Sequence, residues 1–229
     1  EFKSAILSFK PSIKKGEKFY QTLGKHHFYD DGLIKGFYAN TPTESIGIGT
    51  SQSLRYINHK KPIDAGVDFG NMCSMILGQE LGNYVYLLKE LFTLAPEHTK
   101  ELAFQFVTFF KDHGHKVLNL YYDRSGNQNA AVKKDYATEL ADFIRDKGWV
   151  VNLMNKNQAT IFQEEEFNLM KHFFGGYNPN LPNILIDKFQ CANYKSSIEL
   201  AKTKISKNRR TGSTMIQKDK SSEKLPIAQ

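Results

Sequence analysis

Three consecutive short segments of the chain are rich in apolar residues, and the first of them alternates between apolar residues and polar or glycine residues, as β-strands do. They cover residues 63–70, 73–79 and 84–92. Successive side chains of a strand point to opposite faces of a sheet, so a period of two favours half-buried strands over helices. Gly82 and Asn83 are a tight-turn signal between the second and third segments. We therefore expect an antiparallel meander of three strands.

Beyond the meander, apolar residues recur every three or four positions, which predicts helices that alternate with further strands. The first helix follows Pro96 and stops at Gly114. The apolar faces of this helix and of a second one consist of Leu102, Phe106, Phe109 and Phe110 and of Ala137, Leu140, Ala141 and Ile144, respectively. Residues 117–123 and 149–154 are predicted to be the fourth and fifth strands.

This order of three strands, a helix, a strand, a helix and a strand is typical of the ribonuclease H-like fold. We therefore predict an α/β domain with a mixed five-stranded sheet flanked by helices, in which the first three strands are antiparallel. The fourth and fifth strands should run parallel to the first. Right-handed crossovers would place the fourth strand beside the first.

The two ends of the chain differ from this layered region. Helical spacing and strand signals place one helix around Phe167, Met170 and Phe174, another over residues 188–202, and a β-hairpin over residues 204–218 with its tip near residues 208–212. Residues 1–61 show no sustained period, so we interpret them as an irregular connecting arm before a domain that spans residues 62–229. The arm begins without a Met or a helix cap, which suggests a longer parent polypeptide.

The composition bounds the class of protein. A chain of 229 residues with 40% hydrophobic residues can bury one sizeable core. The sequence contains no apolar run of about 18 residues, so a membrane partner is not predicted. Cys73 and Cys191 are too few for a secreted disulfide framework, so a reducing cytoplasm is the expected location.

Positive charge is concentrated near the C-terminus. Residues 195–224 contain nine Lys or Arg and three Asp or Glu, and the whole chain has a net charge of +7. Such a segment suits contact with a polyanion, although a solubilising tail is the other interpretation. The candidate DNA-binding residues are Lys188, Lys195 and Lys202, which repeat every seven positions on a predicted helix, and Lys207, Arg209 and Arg210 near the hairpin tip. The helical set could equally be an ordinary solvated face.

Asp68 and Asp123 are the strongest candidates for chemistry, because each lies in or at the end of a predicted strand and the two strands are predicted neighbours. Carboxylates among apolar residues are costly unless they are paired, and a hard divalent cation such as Mg²⁺ would pair them. Two such ions about 4 Å apart can activate a water and stabilise the leaving oxygen of a phosphodiester. Taken singly, each aspartate could instead be a strand-end residue that accepts backbone N–H groups.

Other polar residues give weaker signals. Asp219 is the nearest late acid and a candidate third ligand, but its place between Lys218 and Lys220 also suits the end of a charged hairpin. Asp187 follows an apolar strand and is more readily interpreted as a helix N-cap. The histidines lack the spacing of a zinc site and are expected at the surface: His26, His27, His113 and His115. No Gly-x-x-x-x-Gly-Lys-Ser/Thr sequence occurs, so ATP hydrolysis is not predicted for this chain.

Three stretches resemble the nuclease domain of phage or prophage large terminase subunits, over about residues 62–224. They are Lys61-Pro62-Ile63-Asp64-Ala65-Gly66-Val67-Asp68-Phe69-Gly70-Asn71, Tyr122-Asp123-Arg124-Ser125-Gly126-Asn127 and Ile216-Gln217-Lys218-Asp219-Lys220. The resemblance implies a DNA endonuclease that cuts concatemeric viral DNA during packaging, with Asp68 and Asp123 as ligands of Mg²⁺ or Mn²⁺. The family usually supplies a third acid from a later Ser-Asp-Ala motif, which is not found before Gln229.

The same resemblance implies partners and a location. Double-stranded DNA would be the substrate, and residues 1–61 would join the nuclease to an ATPase domain of the same parent polypeptide. The portal and the small terminase subunit would be further partners, in the cytoplasm of a bacterial host. Two other interpretations stay open: a DNA-binding platform of the packaging motor without catalytic activity, and another ribonuclease H-like nuclease of the transposase or resolvase type.

Overall fold

A mixed β-sheet organises the computed structural model, which describes residues 16–69, 72–123, 135–155, 163–207 and 214–219. Its seven strands are β1 (Phe28–Tyr29), β2 (Ile63–Phe69), β3 (Met72–Leu81), β4 (Tyr84–Leu94), β5 (Val117–Tyr122), β6 (Val150–Leu153) and β7 (Asn183–Asp187). They are arranged in the order β1-β7-β4-β3-β2-β5-β6. The strand β2, which carries Asp68, therefore lies in the interior of the sheet.

Helices and a hairpin surround this sheet. The α-helices are α1 (Thr43–Ile46), α2 (Thr99–Phe109), α3 (Tyr136–Arg145), α4 (Gln163–Gly175) and α5 (Ala192–Leu200). The strands β8 (Thr203–Lys207) and β9 (Thr214–Lys218) form a separate antiparallel pair, which confirms the predicted hairpin. Within the described residues, no helix is both long and apolar enough to traverse a lipid bilayer.

The predicted five-stranded arrangement is confirmed in strands β2 to β6. The pairs β2–β3 and β3–β4 are antiparallel, and Gly82 turns the chain between β3 and β4 with a φ of 63°. Strand β5 runs parallel to β2 beside it, and β6 runs parallel to β5. These relationships are those of the ribonuclease H-like fold that the element order predicted.

At the other edge of the sheet, β1 was not predicted, and β7 is the apolar strand expected before Asp187, whose place in the sheet was not predicted. Strand β7 pairs in parallel with β4, and β1 pairs in parallel with β7. Strand β1 belongs to the segment that we interpreted as an irregular arm, and Phe19, Tyr20 and Leu54 of that segment are buried in the core. Parts of the segment of residues 16–61 thus pack against the sheet and its core, while the domain boundary at residue 61 stays a prediction.

Apolar side chains cover one face of the sheet and, around β4 and β7, part of the other face. The first core cluster joins α2 and α3 to one face, where the side chains of Ile63, Ala65, Val67 and Phe69 point inward from β2. The second cluster joins α4 and α5 to Ile186 of β7 on the opposite face. The neighbours Leu87 and Leu88 of β4 belong to different clusters, as expected for adjacent residues of a strand.

Two local predictions near the second cluster were wrong. The helix predicted over residues 188–202 is shorter, so Lys188 and Lys202 lie outside α5 and do not form a helical stripe with Lys195. Asp187 does not cap α5 either. Its Oδ1 accepts the backbone N–H groups of Phe189 and Gln190 in the preceding turn, each at 2.9 Å, and Cys191 occupies the N-cap position.

The prediction that the histidines lie at the surface was also wrong in two cases. His27 is 6% exposed and His113 is 1% exposed, whereas His26 and His115 are exposed as predicted. The ring of His113 lies parallel to that of Trp149, and its Nε2 is 2.9 Å from the carbonyl oxygen of Lys61. A carbonyl only accepts, so Nε2 of His113 carries a proton and donates it.

Candidate active site

Asp68 and Asp123 are brought together by the parallel pairing of β2 with β5. In this register Val67 pairs with Tyr122. Asp68 and Asp123 are the residues that follow them, so they occupy adjacent positions at the ends of the two strands. Parallel neighbours lie about 4.8 Å apart in a sheet, and paired residues point to the same face. Asp68 is half-buried and Asp123 is exposed. The predicted neighbourhood of the two strands is therefore confirmed, and a joint role of the two aspartates stays a prediction.

Both aspartates lie on a surface that we call the polar face. It consists of the outward-facing residues of β2 and β5 with their continuation, namely Asp64, Gly66, Asp68, Asn119, Tyr121 and Asp123. All of these residues are exposed or half-buried, whereas the alternate residues of β2 are buried in the first core cluster. The alternation that builds the core thus also produces a strip of polar side chains accessible to a ligand.

A ladder of hydrogen bonds crosses the polar face. Nδ2 of Asn119 donates to Oδ1 of Asp64 at 2.9 Å, and Nδ2 of Asn152 on β6 donates to Oδ1 of Asn119 at 2.9 Å. Burial raises the pKa of Asp64, the hydrogen bond from Asn119 opposes this effect, and the charge of Glu80 adds to it. Burial and the charge of Asp64 raise the pKa of Tyr121. The carboxylate of Asp64 is therefore close enough to raise the pKa of Tyr121 on the neighbouring strand β5.

Asp64, Asn119 and Tyr121 were not predicted to be part of the site. Asp64 precedes Asp68 by four residues, the spacing that places two strand residues on one face, and this spacing could have pointed to it. Asn119 and Tyr121 precede Asp123 by four and by two residues, which are also even spacings. An even spacing from Asp68 or Asp123 was thus visible in the sequence for all three residues. Only the observed register shows which of them lie side by side on β2 and β5.

The donor set at the end of β2 and β5 suits a hard divalent cation. Asp68 and Asp123 supply carboxylate oxygens, the ligand type that Mg²⁺ prefers, and Mg²⁺ usually binds proteins through one or two carboxylates with water and phosphate oxygens completing its shell. Within the described ranges, no group of three or more His, Cys, Asp or Glu residues is placed to hold a metal. The two aspartates are therefore the pair on which a metal hypothesis depends.

Asp219, the candidate third ligand, lies at the base of the hairpin. Its backbone N–H donates to the carbonyl of Lys202 at 2.8 Å, which joins it to the start of β8. The preceding residue, Lys218, is 5% exposed and makes an ion pair with Glu166 of α4 at 2.7 Å. These contacts hold the end of β9 against α4, and a role of Asp219 as a metal ligand stays a prediction.

The candidate DNA-binding residues are dispersed. Nζ of Lys188 is 2.8 Å from Asp30, and Nζ of Lys195 is 2.6 Å from Glu199. Lys202 is exposed beside β8. The side chain of Lys207 and the whole of Arg209 and Arg210 lie outside the described residues. Contact of these six residues with DNA therefore stays a prediction from charge.

Comparison with known proteins supports the fold. No protein-family model and no curated protein sequence matches the chain. The large terminase of a thermophilic bacteriophage, in complex with ATP-gamma-S, aligns with a TM-score of 0.54 and 13% identity, over 92% of this chain and 43% of that chain. A second structure of the same phage protein aligns with a TM-score of 0.52 and 13% identity, over the same shares.

The large terminase nuclease domain of bacteriophage SPP1, solved with bound Mn, aligns with 13% identity over 85% of this chain and 87% of that chain. Its TM-score of 0.45 is too low to add to the fold assignment. At 13% identity the alignments with the thermophilic phage protein show a shared fold, and this chain spans less than half of that protein. The chain thus shares its ribonuclease H-like fold with part of a phage large terminase.

Proposed function

We propose that this chain is the endonuclease domain of a phage DNA-packaging terminase and hydrolyses phosphodiester bonds with the help of divalent metal ions. The observation that carries the proposal is the adjacency of Asp68 and Asp123 at the ends of parallel strands, on a face that ligands can reach. The fold shared with the large terminase of the thermophilic phage supports the same assignment.

Asp68 and Asp123 would hold Mg²⁺ or Mn²⁺ through their carboxylate oxygens. When bound, such an ion activates water for attack on a phosphate and stabilises the leaving oxygen. Asn119 fixes the carboxylate of Asp64 by a hydrogen bond, so the polar face beside the two aspartates is ordered before a substrate arrives. Basic residues of the C-terminal segment would contact the DNA backbone without reading its sequence.

The terminase assignment extends to partners. Double-stranded DNA would be the substrate, and an ATPase domain of the same polypeptide would precede this chain. The portal and the small terminase subunit would complete the packaging machine in the cytoplasm of a bacterial host. These partners rest on the resemblance of the sequence motifs and on the fold alignment with the thermophilic phage terminase.

Nicking of supercoiled plasmid DNA in Mn²⁺ tests the proposal. We expect the wild-type chain to nick the plasmid and EDTA to stop the reaction. Asp68→Asn and Asp123→Asn should each reduce nicking to background while the melting temperature stays close to that of the wild type. Asp146→Asn, an exposed aspartate at the end of α3, is the matched control and should nick normally.

Two outcomes would contradict the proposal. Nicking that survives in Asp68→Asn would reject the assigned site. A wild-type chain that binds DNA in a salt-sensitive manner but never cuts it would support the DNA-binding platform instead, because the excess of nine basic over three acidic residues in residues 195–224 provides for binding alone.

A further inference from the structure

Gly66 occupies an unusual place for a glycine. It lies in β2, an interior strand of the sheet, midway between Asp64 and Asp68 on the polar face. Glycine weakens strand interiors because it loses more backbone entropy on folding and packs no side chain. A glycine at such a position therefore needs a local reason.

The usual structural reasons do not apply to Gly66. The pairing of β2 with β3 and with β5 continues without a shift through Gly66, so no bulge is present there. Gly66 does not have a positive φ, in contrast to Gly82 in the β3–β4 turn. A Cβ added to Gly66 would meet no described atom within 4 Å, so packing does not exclude a side chain. The remaining reason for glycine in a strand is the close approach of a ligand.

The surroundings of Gly66 indicate the chemistry of that ligand. Carboxylates flank it on the same strand at Asp64 and Asp68, and they would repel a phosphate placed directly over Gly66. Tyr121 on the neighbouring strand β5 pairs with Gly66 and is 41% exposed, so an aromatic residue occupies the adjacent position on the polar face. A neutral, partly apolar group suits this place better than an anion does.

We propose that Gly66 and Tyr121 form the contact surface for the deoxyribose of a nucleotide next to the scissile phosphate. This inference rests on the proposed nuclease function and deepens it, because it states how the substrate lies on the polar face. The sugar packs on the bare backbone of Gly66 and against the ring of Tyr121, while Asp68 and Asp123 face the phosphate at the end of the strands.

Side chains added at Gly66 test the proposal. Gly66→Ala, Gly66→Val and Gly66→Leu should melt at or above the wild-type temperature, because no described atom lies within 4 Å of the first added carbon and strands favour larger side chains. Nicking of plasmid in Mn²⁺ should fall progressively with side-chain size, by about 100-fold for Gly66→Leu, as expected for a misplacement of about 1 Å. Gly66→Leu should also weaken binding of duplex DNA in Ca²⁺.

The salt dependence of binding separates a sugar contact from a phosphate contact. A lost phosphate contact lowers the slope of log affinity against log salt concentration, whereas a lost sugar contact lowers affinity and leaves the slope unchanged. We expect an unchanged slope for Gly66→Leu. Tyr121→Ala should also lose affinity without a change in the slope, because the ring makes the contact.

The outcomes distinguish this inference from the function on which it rests. If the wild type binds DNA and Gly66→Leu binds and nicks as the wild type does, the sugar contact is wrong and the nuclease proposal stands. A reduced salt slope in Gly66→Leu would equally overturn the sugar contact in favour of phosphate. If the wild type neither binds nor nicks DNA, the nuclease proposal fails first and this inference fails with it.

Discussion

Gly32 lies against the buried carboxylate of Asp187, where β7 ends. A Cβ at Gly32 would overlap Oδ2 of Asp187 and lie 2.8 Å from Cε2 of Tyr29. Asp187 is 2% exposed and also holds the turn before α5, so it has little room to move. We predict that Gly32→Ala reduces the unfolding free energy by about 1–3 kcal/mol, the usual cost of overpacking.

Urea denaturation measures this loss. Gly66→Ala is the matched control, because it adds the same methyl group where no described atom lies within 4 Å. The control should be as stable as the wild type or slightly more stable. Equal destabilisation by both substitutions would show that the contact with Asp187 does not decide the result.

The buried His113 makes stability depend on pH. Its Nδ1 lies 3.1 Å from Nδ1 of His59, so in the neutral pair one of these nitrogens donates and the other accepts. Burial lowers the pKa of His113 below its ordinary value of 6.5, the hydrogen bond to the carbonyl of Lys61 opposes this effect, and the charges of His59 and His115 add to it. Burial also lowers the pKa of His59, against a raising effect of Asp112.

These shifts predict that the protein loses stability as the pH falls from about 7 to about 5. The histidines of the unfolded chain bind protons from about pH 6.5 downward, whereas those of the folded chain bind them only at lower pH. Proton binding therefore stabilises the unfolded state relative to the folded state. In His113→Gln, which does not titrate, the unfolding free energy should change less over this range. Urea denaturation at both pH values measures the difference. An equally steep pH dependence in His113→Gln would assign the effect to other groups.

At the scale of elements, α5 is anchored by a side chain from β4. The carboxylate of Glu90 accepts the backbone N–H groups of Asn193 and Tyr194, at 3.0 and 2.7 Å, and the side-chain amide of Asn193 at 2.9 Å. The first N–H groups of a helix have no partner within the helix, and a negative charge there is favourable. Glu90 thus performs the capping that Cys191, the N-cap residue, does not provide.

Glu90→Gln should reduce the unfolding free energy by about 1–3 kcal/mol, because one acceptor oxygen becomes a donor next to a buried N–H. Glu199→Gln on the same helix is the control. Its ion pair with Lys195 is partly exposed to solvent, so its loss should cost less than about 0.5 kcal/mol. Chemical denaturation of the two variants would contradict the capping role of Glu90 if the losses were similar.

Elements with local signals could be predicted from the sequence. Strands β2 to β4 follow one another with a tight turn at Gly82, and α2 and α3 have clear apolar faces. Strand β1 contains only Phe28–Tyr29 and pairs with β7, whose residues follow it by more than 150 positions. Helix α5 begins later than predicted, at Ala192, and its N-terminal cap comes from Glu90, about 100 residues away. Long-range pairing leaves no local pattern, which explains these errors.

At the scale of the whole molecule, some features of the candidate site could be predicted from the sequence and others could not. Asp68 and Asp123 could be placed together because each ends a predicted strand and crossover handedness makes the strands neighbours. The connection of Asp64 to Asn119 requires the exact register of β2 and β5, which alternation alone does not specify. The burial of His113 depends on Trp149, which is remote in sequence.

The two core clusters share one sheet, which predicts that they unfold together. Leu87 and Leu88 are adjacent on β4 yet belong to the two different clusters. If one cluster unfolds, the strands that carry the other cluster therefore lose the packing on their opposite face. Phe167→Ala in the second cluster should cost about 3–5 kcal/mol. Trp149, the single tryptophan, lies in the first cluster and reports on the opposite face.

Urea unfolding of Phe167→Ala, followed by Trp149 fluorescence and by far-UV circular dichroism, tests this coupling. If the sheet unfolds as one unit, both signals shift to the same lower midpoint, although Phe167 and Trp149 lie in different clusters. Phe189→Ala, at a side chain that is 65% exposed, should leave both midpoints almost unchanged. A Trp149 midpoint that stays at the wild-type value while the dichroism midpoint falls would mean that the two faces unfold separately. The polar face, whose strands carry the first cluster, would then persist without α4 and α5.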